Sequence, residues 1–528
     1  MKHIYSLLFI AGIVLLSIPA FAQFNLGIAT SDWSGTSALY MNPANIADSR
    51  TRLSIDIITV TGGIENNLGS INKQGSLINT LNNANFDNLF NYSGNSKFSL
   101  QAPYAQVNLP GFSWAINNKN SIALTTSVNG FNQFNNFDQT LFRTIADPTY
   151  LPNGNLDLTS SKFNYTAQLW SQVGLTYAGV LYDQGEHEIK FGVTVRYLGG
   201  IGYVGLKGNN LNVQYKDGND TVHATNSDLE FASNIISTKS AIFNGVGDNN
   251  ILSQFFGSKD GAGIGGDIGV VYDYNPDWMP EHNREVYEMD GRDNNVDNSK
   301  NRYLLRFAAS VMDIGAITYK SAANSNAEVT GNGYITGAGL SNHLSNYDDF
   351  RSYIVAQGFT ADTAHQKTKL YMPTTLRLSG DYHAYKWIYV NASFMGNLAN
   401  RQNFGNSYYN QFTITPRYDT RLFSVSVPVS YTALDKKIKM GLGARVSGFF
   451  IGSDDVLGVI SKHPNSFNIF VGGAVPFYKL RLKDRDNDHV SDKRDRCPDD
   501  YGTWENRGCP DPNADKIEKA KEENEDKE

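Results

Sequence analysis

Strict alternation of apolar and polar residues recurs along this chain, and it limits the possible folds more than any other feature. In "RLFSVSVPVSY", Phe423, Val425, Val427, Val429 and Tyr431 alternate with Ser424, Ser426, Pro428 and Ser430. "FGVTVRY" sets Phe191, Val193, Val195 and Tyr197 against Gly192, Thr194 and Arg196. The same period runs through "LLRFAASVMD", "TLRLSGDY" and "KMGLGARVSGF", where Leu305, Phe307, Leu376, Leu378, Met440 and Leu442 oppose Arg306, Ser310, Arg377, Ser379 and Lys439. A period of two means β-strands with one apolar and one polar face. Such strands either bury the apolar face in a soluble sandwich or turn it to lipid in a membrane barrel.

Three features favour the membrane. The chain opens "MKHIYSLLFIAGIVLLSIPAFAQ", with Lys2 and His3, an apolar run from Leu7 to Ile18, and Ala20-Phe21-Ala22 as a cleavage site. That is the pattern of a secretory signal peptide over residues 1–22, and no cysteine follows to carry a lipid anchor. The strands run to about ten residues, the length a tilted membrane strand needs. Aromatic residues at strand ends (Trp170, Tyr197, Tyr272, Tyr303, Trp387 and Tyr431) read as an interfacial girdle. Connections fall into two classes. Short turns at 117–120, 182–188 and 383–386 contrast with long polar excursions around 64–95, 132–160, 207–259 and 322–370. The expected fold is therefore all-β: a transmembrane antiparallel barrel of about 14 strands over residues 51–483. On the polar faces, Arg196, Arg306, Arg377, Asp381 and Arg445 are lumen-lining candidates. They either form an ion-pair lattice that stiffens the barrel or line a path for an anionic or amphiphilic solute.

The net charge of −7 is carried by the tail: residues 484–528 hold 16 acidic and 9 basic residues, and the rest of the chain balances at 36 of each. A neutral body gives no surface for nucleic acid.

The stretch "LGIATSDWSGTSALYMNPANIAD" (26–48) resembles the entry segment of long-chain fatty-acid transporter (FadL-like) outer-membrane barrels, through Asn42, Pro43 and Ala44. "LRFAASVMDIGAI", "MPTTLRLSGDY", "TITPRYDTRLFSVSVPVSY" and "GLGARVSGFFIGSDDVLG" are similar to a Bacteroidota family of that superfamily. The resemblance implies an outer-membrane location and a lumenal plug over residues 23–50; the other reading of that segment is a first strand. It carries over no solute.

After the last strand comes "DRDNDHVSDKRDRCPDDYGTWENRGCP" (484–510). Asp484, Asp486, Asp488, Asp492 and Asp495 occupy positions 1, 3, 5, 9 and 12 of a Ca²⁺ loop, with the Val490 carbonyl at position 7. Hard carboxylate oxygens at alternating positions can converge on one cation. The stretch resembles a thrombospondin type-3 repeat, with His489 where the turn glycine is expected. Two cysteines and one histidine do not make a zinc site. In an exported chain, a Cys497–Cys509 disulfide is expected instead. Residues 484–511 thus read as a calcium-stiffened spacer on the periplasmic side. The charged residues 512–528 read as a short solvated helix or disorder.

Other signals fail on context. Gly261, Gly263 and Gly266 match G-x-G-x-x-G but lie within an alternating strand, where glycine serves curvature or close plug contact. The acids of 277–298 read as solvated loop charges. No nucleophile–base pair points to an enzyme. The leading expectation is a barrel that passes or binds a small hydrophobic or amphiphilic solute. The rival is a non-transporting barrel whose residues 484–528 dock a periplasmic or cell-envelope protein, as in type IX secretion or gliding machinery.

Overall fold

The computed structural model describes residues 26–73, 90–94, 96–146, 156–184, 186–215, 221–234, 260–276, 286–296, 299–320, 326–336, 339, 343, 347–363, 367–480 and 482–511. The expected signal peptide and the charged tail 512–528 lie outside the described residues.

Fourteen antiparallel strands close into a ring. They are β1 (Thr51–Asn66), β2 (Lys97–Ala115), β3 (Asn120–Asp138), β4 (Leu156–Gln184), β5 (His187–Tyr215), β6 (Gly261–Tyr274) and β7 (Leu305–Lys320). The second half is β8 (Lys367–Tyr371 with Thr375–Tyr385), β9 (Ile388–Asn397), β10 (Gln411–Asp419), β11 (Phe423–Ser426 with Val429–Thr432), β12 (Ile438–Met440 with Leu442–Val446), β13 (Phe449–Ser453) and β14 (Ser466–Tyr478). Each strand pairs with its sequence neighbour, and β14 pairs with β1 from Thr51↔Tyr478 to Glu65↔Ser466. Closure leaves no free sheet edge, which is what a lipid environment demands of a β-structure.

The alternation resolves as expected. On β10, Gln411, Thr413, Thr415, Arg417 and Asp419 are buried, while Phe412, Ile414 and Tyr418 are 44–47% exposed. Val195, Leu442, Val446 and Phe449 are likewise outward, at 47–62%. Buried polar and exposed apolar residues invert the order of a water-soluble protein, so the outer wall is built for hydrocarbon. Trp114, Tyr177, Tyr182, Tyr385, Trp387 and Tyr418 cluster on the outer wall toward one rim. Trp387 directly precedes the pairing Ile388↔Tyr418, at the end where β1 begins and β14 finishes. We call this the near end.

Two expected girdle residues are elsewhere. Trp170 shares the strand parity of Thr176 and Ala178, so it points inward and is 3% exposed. Tyr303 precedes β7 and is tucked beneath the lumen, 1% exposed. The two-class loop pattern also has an exception. Near-end turns are short between β2 and β3, β4 and β5, and β8 and β9, but the β6–β7 connection runs from 275 to 304. At the far end, strands Thr221–Ser233, Asn326–Thr336 and Phe359–Thr363 extend the wall upward from β5. An apolar cap that includes Leu68, Phe98, Phe137, Phe163 and Phe467 packs there.

Candidate functional site: a plugged lumen and a carboxylate loop

Residues 26–50 form short helical turns (Leu26–Ala29, Gly35–Tyr40 and Pro43–Ile46), not a strand, and nearly all are buried. They contact inward-facing groups on β1, β2, β4, β5, β6, β10, β11 and β12, which only a segment inside the ring can do. Two of these contacts need glycine on the wall. A Cβ on Gly192 would lie 2.3 Å from the Pro43 carbonyl carbon, and one on Gly269 would lie 2.1 Å from Asn42 Oδ1. Asn42 is the pin of this contact. Its side-chain amide donates to the backbone carbonyls of Val270 and Ala309, 3.0 Å each, and its Oδ1 accepts the Ala44 N–H at 2.8 Å, capping the turn that Pro43 opens.

Beneath the plug, charged side chains fill the near end. Asp381 takes both arms of Arg417 (2.7 and 2.6 Å) and the Tyr303 hydroxyl (2.6 Å). Arg306 joins Asp273 at 2.7 Å and the plug residue Asp32. Arg445 reaches Asp419 at 3.0 Å and the carbonyls of Thr420, Arg421 and Ser447. Higher in the lumen, Arg196 bridges Asp267 (2.5 Å) and Asp313 (2.6 Å), while Arg377 stands 3.8 Å from Asp313. All five lumen candidates thus face inward and are ion-paired, as buried charges must be. Lys190, Asp273, Arg302, Arg417 and Asp419 belong to the same lattice and were missed. Extending the alternation of "HEIKFGVTVRY" and "TPRYDT" by one or two steps would have found Lys190, Arg417 and Asp419.

Above the plug the lumen changes character. Tyr104, Phe131, Trp170, Tyr203, Tyr319 and Phe404 belong to one buried aromatic cluster, with Phe131–Trp170 centroids 5.7 Å and Tyr203–Tyr319 4.6 Å apart. Gly261, one of the rejected fingerprint glycines, lies against Tyr319, whereas Gly263 and Gly266 abut neighbouring strand carbonyls. Two small internal cavities flank the plug, of about 30 Å³ beside Leu26, Glu65 and Lys439 and about 20 Å³ beside Asp32, Arg306 and Asp381. Each has room for a water or two. Asp454, in the connection after β13, accepts the Leu26 N–H at 3.1 Å, and its burial raises the carboxyl to about 7.

In the tail, carboxylate oxygens of Asp484, Asp486 and Asp488 come within 4.8 Å of one another. Among the described residues, Asp484 Oδ1, Asp486 Oδ2 and Asp492 Oδ1 are enclosed and have no hydrogen-bond donor, and such oxygens could hold a cation. Asp492 and Asp495 lie outside the cluster of Asp484, Asp486 and Asp488, and Asp495 Oδ1 accepts the Cys497 N–H at 2.6 Å. His489 adopts φ +68° and Asn487 φ +61°, so the turn takes the left-handed form that glycine favours. Cys497 and Cys509 are joined, with Sγ–Sγ 2.07 Å and Cα–Cα 5.0 Å.

A closed ring with a lipid-facing wall and a filled lumen is a membrane β-barrel. The chain belongs to DUF5723, a family of unknown function, whose model matches residues 43–454. No curated protein matches it. Among solved structures it is similar to the toluene transporter TbuX of Ralstonia pickettii, at 13% identity, covering 87% of this chain and 99% of that one, TM-score 0.35. A mutant of the TodX monoaromatic hydrocarbon channel matches at 10% identity over 85% and 95%, TM-score 0.33. A FadL homologue from Pseudomonas aeruginosa matches at 9% over 88% and 99%, TM-score 0.30. At these scores the assignment of a barrel rests on the strand pairing and outer wall alone.

Proposed function

We propose that this protein is an outer-membrane barrel that binds or passes a small hydrophobic or amphiphilic solute, with the near end and the tail in the periplasm and Ca²⁺ held by the tail loop. The observation that carries the solute reading is the aromatic cluster inside the ring. Water-filled porin-type barrels have polar interiors. An aromatic-lined interior beneath an apolar cap offers dispersion and burial to an apolar ligand. Trp170 lies in that cluster and reports on it. Protein in lipid nanodiscs titrated with toluene, and separately with a medium-chain fatty acid, should show saturable quenching or a shift of emission that Trp170→Phe abolishes. No saturable change with either probe would remove this reading.

In the tail, Asp484, Asp486 and Asp488 would supply carboxylate oxygens, with the Val490 carbonyl and Asp492 completing an oxygen-rich shell; bound Ca²⁺ neutralises charges that otherwise repel. A Ca²⁺ titration of the intact protein by calorimetry tests this, and no heat at millimolar Ca²⁺ would end it. The rival role, a static barrel docking a cell-envelope or type IX secretion partner, draws support from the ion-paired near end, where the cavity beside Asp32, Arg306 and Asp381 is water-sized. Liposome flux measurements distinguish the two.

A further inference from the structure

The acids between 277 and 298 read as solvated in the sequence, yet one of them is buried against the tail. The β6–β7 connection carries a hairpin, Val286–Met289 paired with Arg292–Val296. Asp290 (φ +56°) and Gly291 (φ +64°) turn it, both in the left-handed region that an Asp-Gly hairpin turn uses. Its tip meets the carboxylate loop. Asp290 N–H donates to the His489 carbonyl at 2.8 Å, and Asp290 Oδ1 accepts both the N–H and the hydroxyl of Ser491, at 2.9 and 2.7 Å. Met289 and Asp290 are 6% and 7% exposed.

A second contact lies beside the first. Trp504 rests on Gly291 so closely that a Cβ there would lie 2.6 Å from the indole Nε1. The Arg494 guanidinium sits 5.9 Å over the Trp504 ring and 3.6 Å from Asp290. Hydrogen bonds to a buried carboxylate, an aromatic lid on a glycine and a cation between them make a two-sided interface, not a chance touch.

We propose that the Asp290–Gly291 hairpin tip is a docking site for the chain's own carboxylate loop, forming a clasp in cis that holds the tail on the near end of the barrel. The residues that grip Asp290, His489 and Ser491, flank Val490, whose carbonyl is the position-7 oxygen of the calcium loop. Ordering the loop around Ca²⁺ and closing the clasp therefore fix the same three residues. Because coupling is reciprocal, a closed clasp tightens Ca²⁺ binding by the factor by which Ca²⁺ tightens the clasp. This coupling rests on the calcium reading above; the clasp itself does not. It also turns the expected free spacer into a segment seated on the barrel.

The test uses the intact protein in nanodiscs, with each side perturbed and the other side read. On the hairpin side, Asp290→Ala should weaken Ca²⁺ binding by about tenfold in calorimetry, and Gly291→Ala should do the same. On the tail side, Ser491→Ala combined with Trp504→Ala should speed amide exchange in 286–296 by tenfold or more. If the hairpin variants leave Ca²⁺ affinity unchanged and the tail variant leaves hairpin exchange unchanged, the clasp is wrong while the calcium site stands. If the wild type binds no Ca²⁺, the calcium reading fails, and hairpin exchange alone decides: faster exchange in the tail variant supports the clasp, and unchanged exchange overturns it.

Discussion

Replacing Asn42 with Ala should loosen the plug by an amount the structure lets us work out. The side chain is 2% exposed and makes two donor bonds to the Val270 and Ala309 carbonyls and one acceptor bond from Ala44 N–H. Each such bond contributes about 1 kcal/mol net, and losing the cap of a helical turn costs about 1 kcal/mol. The acceptor bond is that cap, so the two donor bonds and the cap sum to about 3 kcal/mol, or roughly a hundredfold in the ratio of docked to undocked plug. A cysteine at Ser37, buried in the plug, turns that ratio into a rate, because a water-soluble maleimide reaches it only when the plug leaves its seat. Labelling of Ser37→Cys should therefore accelerate by about two orders of magnitude when Asn42→Ala is added. The folded fraction, read by heat-modifiable migration in gels, should stay intact, since the ring's strand pairing is untouched. Unchanged labelling in a folded barrel would refute the claim that Asn42 pins the plug.

Gly192→Ala should mimic that result by driving a Cβ into the Pro43 backbone, whereas Gly130→Ala, whose Cβ meets nothing closer than 3.6 Å, should leave labelling unchanged. Arg417→Met strands Asp381 and should lower stability by about 3–5 kcal/mol, read as a fall in the temperature at which the folded gel band disappears. The raised Asp454 carboxyl makes a sign-specific prediction. Its contribution is fully present below about pH 4 and is lost as pH rises through about 7, so labelling of Ser37→Cys, corrected for thiolate content, should increase over that window, and Asp454→Asn should flatten the dependence. Chelating Ca²⁺ should expose Arg485, Lys493 and Arg496 to trypsin, with protection returning on Ca²⁺ addition; equal cleavage in both conditions would count against loop ordering by the metal.

The wall was legible because membrane strands follow a single rule, and Phe412, Ile414 and Tyr418 obey it without exception on β10. Arg196, Arg306, Arg377, Asp381 and Arg445 were legible for the same reason. Other members of the lattice were harder, because Asp32 and Asp48 come from the plug, Arg302 and Tyr303 from a connection, and no period links them to the strands they meet. Trp170 was misplaced because position near a strand end was weighed above parity. The clasp was hidden for another reason. An Asp-Gly turn announces a hairpin, but burial of Asp290 arises only from a tail about 200 residues further along. The loop's three leading aspartates could be read from spacing alone, while the Asp495 carboxylate turns to the backbone of Cys497.

The outward orientation of the apolar faces is tested most directly by neighbouring positions on one strand. Val195 is 60% exposed on the outer wall and Thr194, the adjacent residue on β5, is 4% exposed toward the lumen. Spin labels at Val195→Cys and Thr194→Cys in reconstituted bilayers should separate cleanly, with Val195 relaxed by oxygen dissolved in lipid and shielded from a water-soluble nickel complex, and Thr194 showing no such lipid signature. The opposite ranking, or a processed chain that stays dispersed in water without detergent, would contradict the barrel.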